Sequence, residues 1–238
     1  MKDDSGLPGG ARKRRTAGNM TPAAVKILDA ASRLFYEEGI RAVGVEVIAE
    51  EAGVTKKTLY DRFGSKDELI VAYLRARDGL WRTTLTQHVN EQEVPAREKL
   101  LATFDALHNW LQERNPRGCA FINASVELPE DHPGQEVAFQ QKAWLRAYLE
   151  QLAAEAGASD PAGLADQLLI LHEGACIANS MRSVDNAAIR GRQMADVLIE
   201  WAVNPSSTAP GQPSREDWDG TVATEPGTRT AVVGRGTT

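Results

Sequence analysis

Between residues 21 and 204 apolar residues recur every three or four positions, and the prolines of that stretch fall at the edges of the runs, not inside them. Proline removes a backbone donor and clashes with the preceding turn, so it is tolerated at helix ends and excluded from interiors. Pro22, Pro95, Pro116, Pro129, Pro133 and Pro161 therefore act as boundary marks. The spacing predicts helices from Pro22 to a stop at Gly39, from Val45 to Ala52, from Thr55 to Phe63 and from Ser65 to about His88. Further helices are expected over 95–114, 120–127, 134–156, 161–182 and 186–203. No run alternates apolar and polar residues over a useful length, so the expected fold class is all-α.

Residues 1–20 and 205–238 lack this periodicity. The first stretch is rich in Gly and charge and holds the basic run Arg12-Lys13-Arg14-Arg15; the second is rich in Pro, Gly, Ser and Thr. They read as a disordered basic arm and a disordered tail. The remainder is long enough for a buried core, in a chain of 238 residues that is 42% hydrophobic. No stretch of ~18 apolar residues is present, so no membrane span is expected. The N-terminus has no apolar segment of the kind a secretory signal needs, which points to the cytoplasm. Cys119 and Cys176 are too few for a disulfide scaffold and should be free thiols. The net charge of −6 is unevenly spread: residues 1–77 carry +3 and the rest −9. A basic N-terminal part on an acidic body fits a polyanionic partner, and also an ordinary solvated surface.

The stretch AEEAGVTKKTLYDRFGSKDEL, residues 49–69, separates these readings. Two short helical patterns flank a tight turn at Gly53-Val54, the arrangement of a helix-turn-helix. Ile48, Ala49, Ala52, Val54, Leu59 and Phe63 form the apolar set that would hold the pair together. That leaves Thr55, Lys56, Lys57, Thr58 and Tyr60 facing outward. Lysines neutralise phosphates, hydroxyls bond phosphate oxygens, and a threonine methyl can meet thymine. A helix N-terminus adds its free N–H groups, and Lys66 at the start of the next helix is placed to reach flanking backbone. The lysines alone also fit a solvated helix face; the constellation as a whole fits a recognition helix in a major groove.

IAEEAGVTKKTLYDRFGSKDELIVAYL resembles the DNA-binding signature of the TetR/AcrR family of bacterial repressors. The matching positions are Ile48, Ala49, Ala52, Gly53, Val54, Thr55, Leu59, Tyr60, Phe63, Lys66 and Leu69, and AASRLFYEEGIRAVGV before them fits as well. Many relatives have a hydroxyl residue where Gly44-Val45 stands and a small residue where Lys57 stands. The resemblance implies an N-terminal three-helix DNA-binding domain, here 21–66, and a C-terminal helical ligand-binding and dimerisation domain, here 67–204. It implies DNA contacts from Thr21, Val45, Thr55, Lys56, Lys57, Thr58, Tyr60 and Lys66. The implied partners are double-stranded DNA with a palindromic operator, a small-molecule effector, and a second copy of the chain in a homodimer. The dimer would pair the last two helices, through Leu164, Leu168, Leu171, Ala175 and Ala178 on one and Ile189, Met194, Val197, Leu198 and Trp201 on the other. The implied mechanism is repression relieved when an effector selects the conformation that does not bind DNA, with the fourth helix as the link.

Large or polar residues inside apolar patterns are the candidates for an effector cavity. They are Trp81, Phe104, His108, Trp110, Cys119, Phe121, Asn123, Trp144, His172, Cys176 and Asn179, with Met181; each aromatic also fits plain core. Cys119 follows Pro116-Arg117-Gly118 at an expected helix start, a setting that favours thiol reactivity. A thiol-based electrophile or redox sensor is therefore an alternative function, as is a DNA-binding regulator without an effector; the bland alternative for Cys119 is a small buried residue. His172 and Cys176 lack further metal ligands nearby, so no metal is expected. No phosphate loop, nucleophile elbow or metalloprotease motif is present, so no cofactor and no enzymatic activity are expected.

Overall fold

Thr21 caps the first helix by accepting a hydrogen bond from Ala24 N–H at 3.3 Å, with Pro22 in the first turn. A computed structural model of the chain describes residues 20–91, 93–114 and 117–204. Among the described residues there are nine helices and no strand: α1 Pro22–Glu38, α2 Val45–Glu51, α3 Lys56–Phe63, α4 Lys66–Asn90, α5 Ala96–Glu113, α6 Ala120–Glu127, α7 Pro133–Glu155, α8 Pro161–Ser180 and α9 Ala187–Val203. The all-α expectation is met, and each expected helix appears within two residues or so of its expected ends. The basic run at 12–15 and the tail after residue 204 lie outside the described residues. None of the described helices is long and apolar enough to cross a membrane.

Each boundary has a local cause. Ser65 caps α4, accepting from Glu68 N–H at 3.0 Å, half of a capping box. Gly53 has φ +63, a conformation that costs other residues, and the turn is closed by Val54 N–H donating to Ala49 O at 2.9 Å. Asp160 caps α8, donating nothing and accepting from Gly163 N–H at 3.0 Å.

Packing joins these helices in two groups. α1, α2 and α3 meet one another and the start of α4; α4, α5, α7, α8 and α9 pack as a second, larger set, with α6 lying on α7. Ile27, Ile48 and Leu59 are fully buried at the centre of the first group, and Ala49 and Ala52 are buried where the helices approach closely. Ala31, Leu34 and Phe35 of α1 face the core. Val25 is 42% exposed, and Ile27 takes the core position, because the helix turns its Ile27–Ala31–Leu34 edge inward. In α8, Leu164, Leu168 and Ala175, expected at the dimer face, are buried within the protomer. Both sides of α8 are apolar, so spacing alone could not tell its inner stripe from its outer one.

Because Leu59 has no exposed surface, Leu59→Ala is expected to lower the unfolding free energy by about 2–5 kcal/mol. Urea denaturation of the variant and the parent chain checks this, and an unchanged midpoint would contradict the packing.

Candidate nucleic-acid interface and the cavity behind it

α3 is presented by a cap that uses both of its threonines. Thr55 Oγ1 accepts from Thr58 N–H at 3.1 Å and shares a hydrogen bond with Thr58 Oγ1 at 2.9 Å. Lys56 and Lys57 are exposed, and Tyr60 is 39% exposed. Lys56 is paired with Glu46 of α2, and this bond raises the lysine above its ordinary pKa range and lowers the carboxyl. Lys57 has no ion-pair or hydrogen-bond partner among the described residues. The outward set expected from the sequence is thus on the outside, with Leu59 facing in.

Three other expected DNA contacts have different settings. The Val45 side chain is buried, so only its backbone N–H, on a helix start that lacks a side-chain cap, is available. Thr21 spends its hydroxyl oxygen on the α1 cap. Lys66 is turned inward: its ammonium donates to Ile40 O at 2.7 Å and lies 5.9 Å from the centre of the Phe35 ring. Partial burial pulls its pKa down. The expectation that Lys66 reaches outward for flanking backbone did not anticipate the open carbonyl after α1 that this ammonium satisfies.

Behind α1 lies a set of contacts to α6 that the sequence did not reveal. Tyr36 Oη donates to Gly118 O at 3.0 Å and accepts from Arg117 N–H at 2.9 Å. The Arg117 guanidinium donates to Tyr36 O at 3.0 Å. At the other end of α6, Glu127 accepts from Arg41 N–H at 2.9 Å, and its carbonyl accepts from the Arg41 side chain. Arg77 of α4 stacks on the Tyr36 ring at 4.1 Å.

The start of α6 also walls a cavity. Trp81 of α4 and Trp110 of α5, 5.2 Å apart between ring centres, line it with Cys119 at the N-cap of α6, Phe121 of α6, and His172 and Cys176 of α8. Those six were expected from the sequence. Arg77, Leu107, Gln141, Lys142 and Glu173 line it too and were missed. The cavity volume is about 30 Å³, room for a water or two and far below the few hundred Å³ of a typical ligand pocket.

The remaining expected residues lie elsewhere. Phe104 packs against His172 with centroids 4.4 Å apart, and it also lies against Gly191. Trp144 stacks on Tyr148 at 5.5 Å, with Arg82 over its face. Asn123 donates to Arg117 O at 3.1 Å. His108 and Asn179 are half-buried and outside the cavity lining, and Met181 is 73% exposed.

The electrostatics of the cavity centre on Lys142. Its ammonium donates to Glu173 Oε1 at 2.7 Å and lies 3.4 Å from Cys119 Sγ. Burial pulls the lysine down, but Cys119 and Glu173 outweigh it and hold it above the ordinary range. His172 is pushed down to about 3, first by burial and then by the Lys142 charge, so it is neutral. Thr103 spends its only hydroxyl hydrogen on Leu100 O at 2.6 Å, so in its contact with His172 Nε2 at 3.4 Å the imidazole is the donor. His172 Nδ1 is then an acceptor. Burial raises the Cys176 thiol far out of the reactive range.

A capped, outward-facing second helix on a glycine turn, joined to a larger helical body, defines a helix-turn-helix DNA-binding regulator. Residues 27–73 match the family model described as bacterial regulatory proteins, tetR family. The solved structure of a TetR-type transcriptional regulator of Streptomyces avermitilis, sav143, is 31% identical, covering 77% of this chain and 98% of that one, with a TM-score of 0.67. SCO4454, a TetR-family transcriptional regulator from Streptomyces coelicolor, is 28% identical with a TM-score of 0.71, covering 76% of this chain and 96% of its own. The HTH-type transcriptional regulator YjdC of Escherichia coli is 25% identical over 181 residues, 74% of this chain and 93% of YjdC. The chain belongs to the TetR family of transcriptional regulators.

The neutral His172 sets an acid dependence. The folded protein keeps it unprotonated down to a pH of about 3, whereas an unfolded histidine takes up a proton near 6.5. Between those values the unfolded state binds the extra proton, so stability falls as pH is lowered, by up to about 1.4 kcal/mol per unit from this group. His172→Gln is expected to be less acid-sensitive than the parent between pH 6.5 and 4.5 in urea titrations; parallel pH profiles would refute the assignment.

Proposed function

We propose that this TetR-family regulator is a homodimeric repressor that leaves a palindromic operator when a small molecule enters the cavity beside α6. The observation that carries the reading is the double role of α6. Its first residues wall the cavity, and both of its ends are hydrogen-bonded to α1 or to the turn after it. An effector that enlarges a cavity of about 30 Å³ must move a wall, and this wall is tied to the DNA-binding helices. The effector acts only by preferring the displaced state.

On this reading residues 21–66 form the DNA-binding domain and 67–204 the regulatory one. Thr55, Lys56, Lys57, Thr58 and Tyr60 meet DNA, with Thr21 and the Val45 N–H at flanking phosphates. Lys66 holds α4 to α1 more than it holds DNA. The dimer forms on the outer apolar faces of α8 and α9, where Ile170, Ile177 and Met181 on one helix and Ile189, Met194 and Val197 on the other are between 39% and 73% exposed. A two-fold pairing of these faces would present two copies of α3 to successive half-sites.

Operator affinity measured across salt concentrations tests the DNA face. Lys57→Ala is expected to reduce the salt slope by about one unit, the signature of one lost phosphate contact. Lys66→Met is expected to leave the slope near that of the parent while lowering thermal stability; equal slopes for Lys57→Ala and the parent would contradict the assignment. Met194→Glu with Val197→Glu is expected to give monomers in sedimentation and at least a tenfold loss of operator affinity. Tyr36→Phe, which removes the hydrogen bond to Gly118 O, is expected to raise the effector concentration needed for release or to weaken operator binding outright. A variant that matches the parent in both would sink the α6 route.

A further inference from the structure

Two buried oxygens in the cavity wall have no hydrogen-bond partner. Gln141 is 2% exposed and its Oε1 is unpaired. Glu173 gives Oε1 to Lys142, while its Oε2 is buried and unpaired. A buried acceptor without a donor is costly and calls for an explanation. His172 Nδ1 is a third acceptor in the same wall, fixed as such by the proton on Nε2.

The nearby cations are already engaged with other partners. Lys142 serves Glu173 and Cys119, and Arg77 donates to Arg114 O at 3.0 Å while it stacks on Tyr36. An anion would face the unpaired oxygens of Gln141 and Glu173. A cation would meet Arg77 and Lys142 against the single carboxylate of Glu173, an unfavourable balance. The tilted Trp81–Trp110 pair and Phe121 also line the cavity, which suits a ring.

Building on the reading of this cavity as the effector site, we propose that its ligand is a neutral aromatic molecule bearing two hydrogen-bond donors, one for Gln141 Oε1 and one for Glu173 Oε2. The ring lies against the two tryptophans. Entry displaces the first turn of α6, and the donors satisfy oxygens that are unpaired in the closed form.

The test uses the full chain and two probes of like shape, 1,3-dihydroxybenzene and its dimethyl ether. Binding is followed by tryptophan fluorescence and by thermal shift. The diol is expected to bind about tenfold or more tightly than the ether, which offers no donor. Gln141→Leu is expected to raise the melting temperature without ligand by a few degrees, because it deletes an unsatisfied oxygen, and to erase most of the preference for the diol. Equal binding of the two probes by the parent, or an undiminished preference in Gln141→Leu, would overturn the proposal and mean that solvent satisfies these oxygens. Selective diol binding lost in Gln141→Leu, with the protein still held on its operator, would support the ligand class and refute only the release reading. Release by some other compound class, with no diol preference, would refute the ligand class alone.

Discussion

The Tyr36 hydroxyl makes two hydrogen bonds in opposite senses, and the relation between the two halves of the molecule rests on them. It donates to Gly118 O and accepts from Arg117 N–H. Both partners belong to the backbone just before α6, where a helix start would otherwise leave polar groups open. Burial raises the tyrosine above its ordinary pKa, so the hydroxyl stays protonated and keeps its donor role. A side chain of α1, whose other faces hold α2 and α3, thus fixes the position of a segment that walls the cavity. The Arg41–Glu127 contacts fix the other end of the same short helix. α6 is pinned twice, and a displacement of it strains its ties to α1 and to the turn after α1.

The helix-turn-helix was legible because several independent rules coincide over a few residues. A cap at Thr55, a left-handed glycine at 53, small residues at 49 and 52 and an inward Leu59 all demand the same geometry. The cavity was only half legible. Its aromatic and sulfur-bearing members stand out in a sequence, but Gln141 and Lys142 look like surface residues unless they are set beside Ala138, Leu145 and Leu149, the buried stripe into which they fall. Glu173 is masked in the same way by its neighbour His172. The ties from α1 to α6 had no sequence signal, since Tyr36 and Gly118 are far apart in the chain and their bonds run largely to backbone. α8 was misread for the opposite reason, an excess of signal: it is apolar on two sides, and the inner stripe of Leu164, Leu168 and Ala175 was the more regular one.

Lys142 sets the character of the cavity. Removing a cation from water is expensive, and this one is offset by Glu173 and by its contact with Cys119. Burial keeps His172 neutral, and the field of Lys142 adds to it. Burial and this ion pair together leave one charged pair among neutral neighbours, His172 and the Cys176 thiol. The cavity is polar in its chemistry though most of its lining is apolar.

Gly118 is the point at which these parts meet. Its carbonyl holds Tyr36, its chain neighbour Cys119 lines the cavity, and it sits at φ +79 so close to the end of α8 that a Cβ there would lie 2.7 Å from Ser180 Cβ. Any side chain at 118 would act as a permanent wedge between α6 and the helix proposed to carry half of the dimer face. On the proposed mechanism it would do by inheritance what the effector does by mass action, so a change in this single codon would have the physical character of a constitutive, ligand-blind allele.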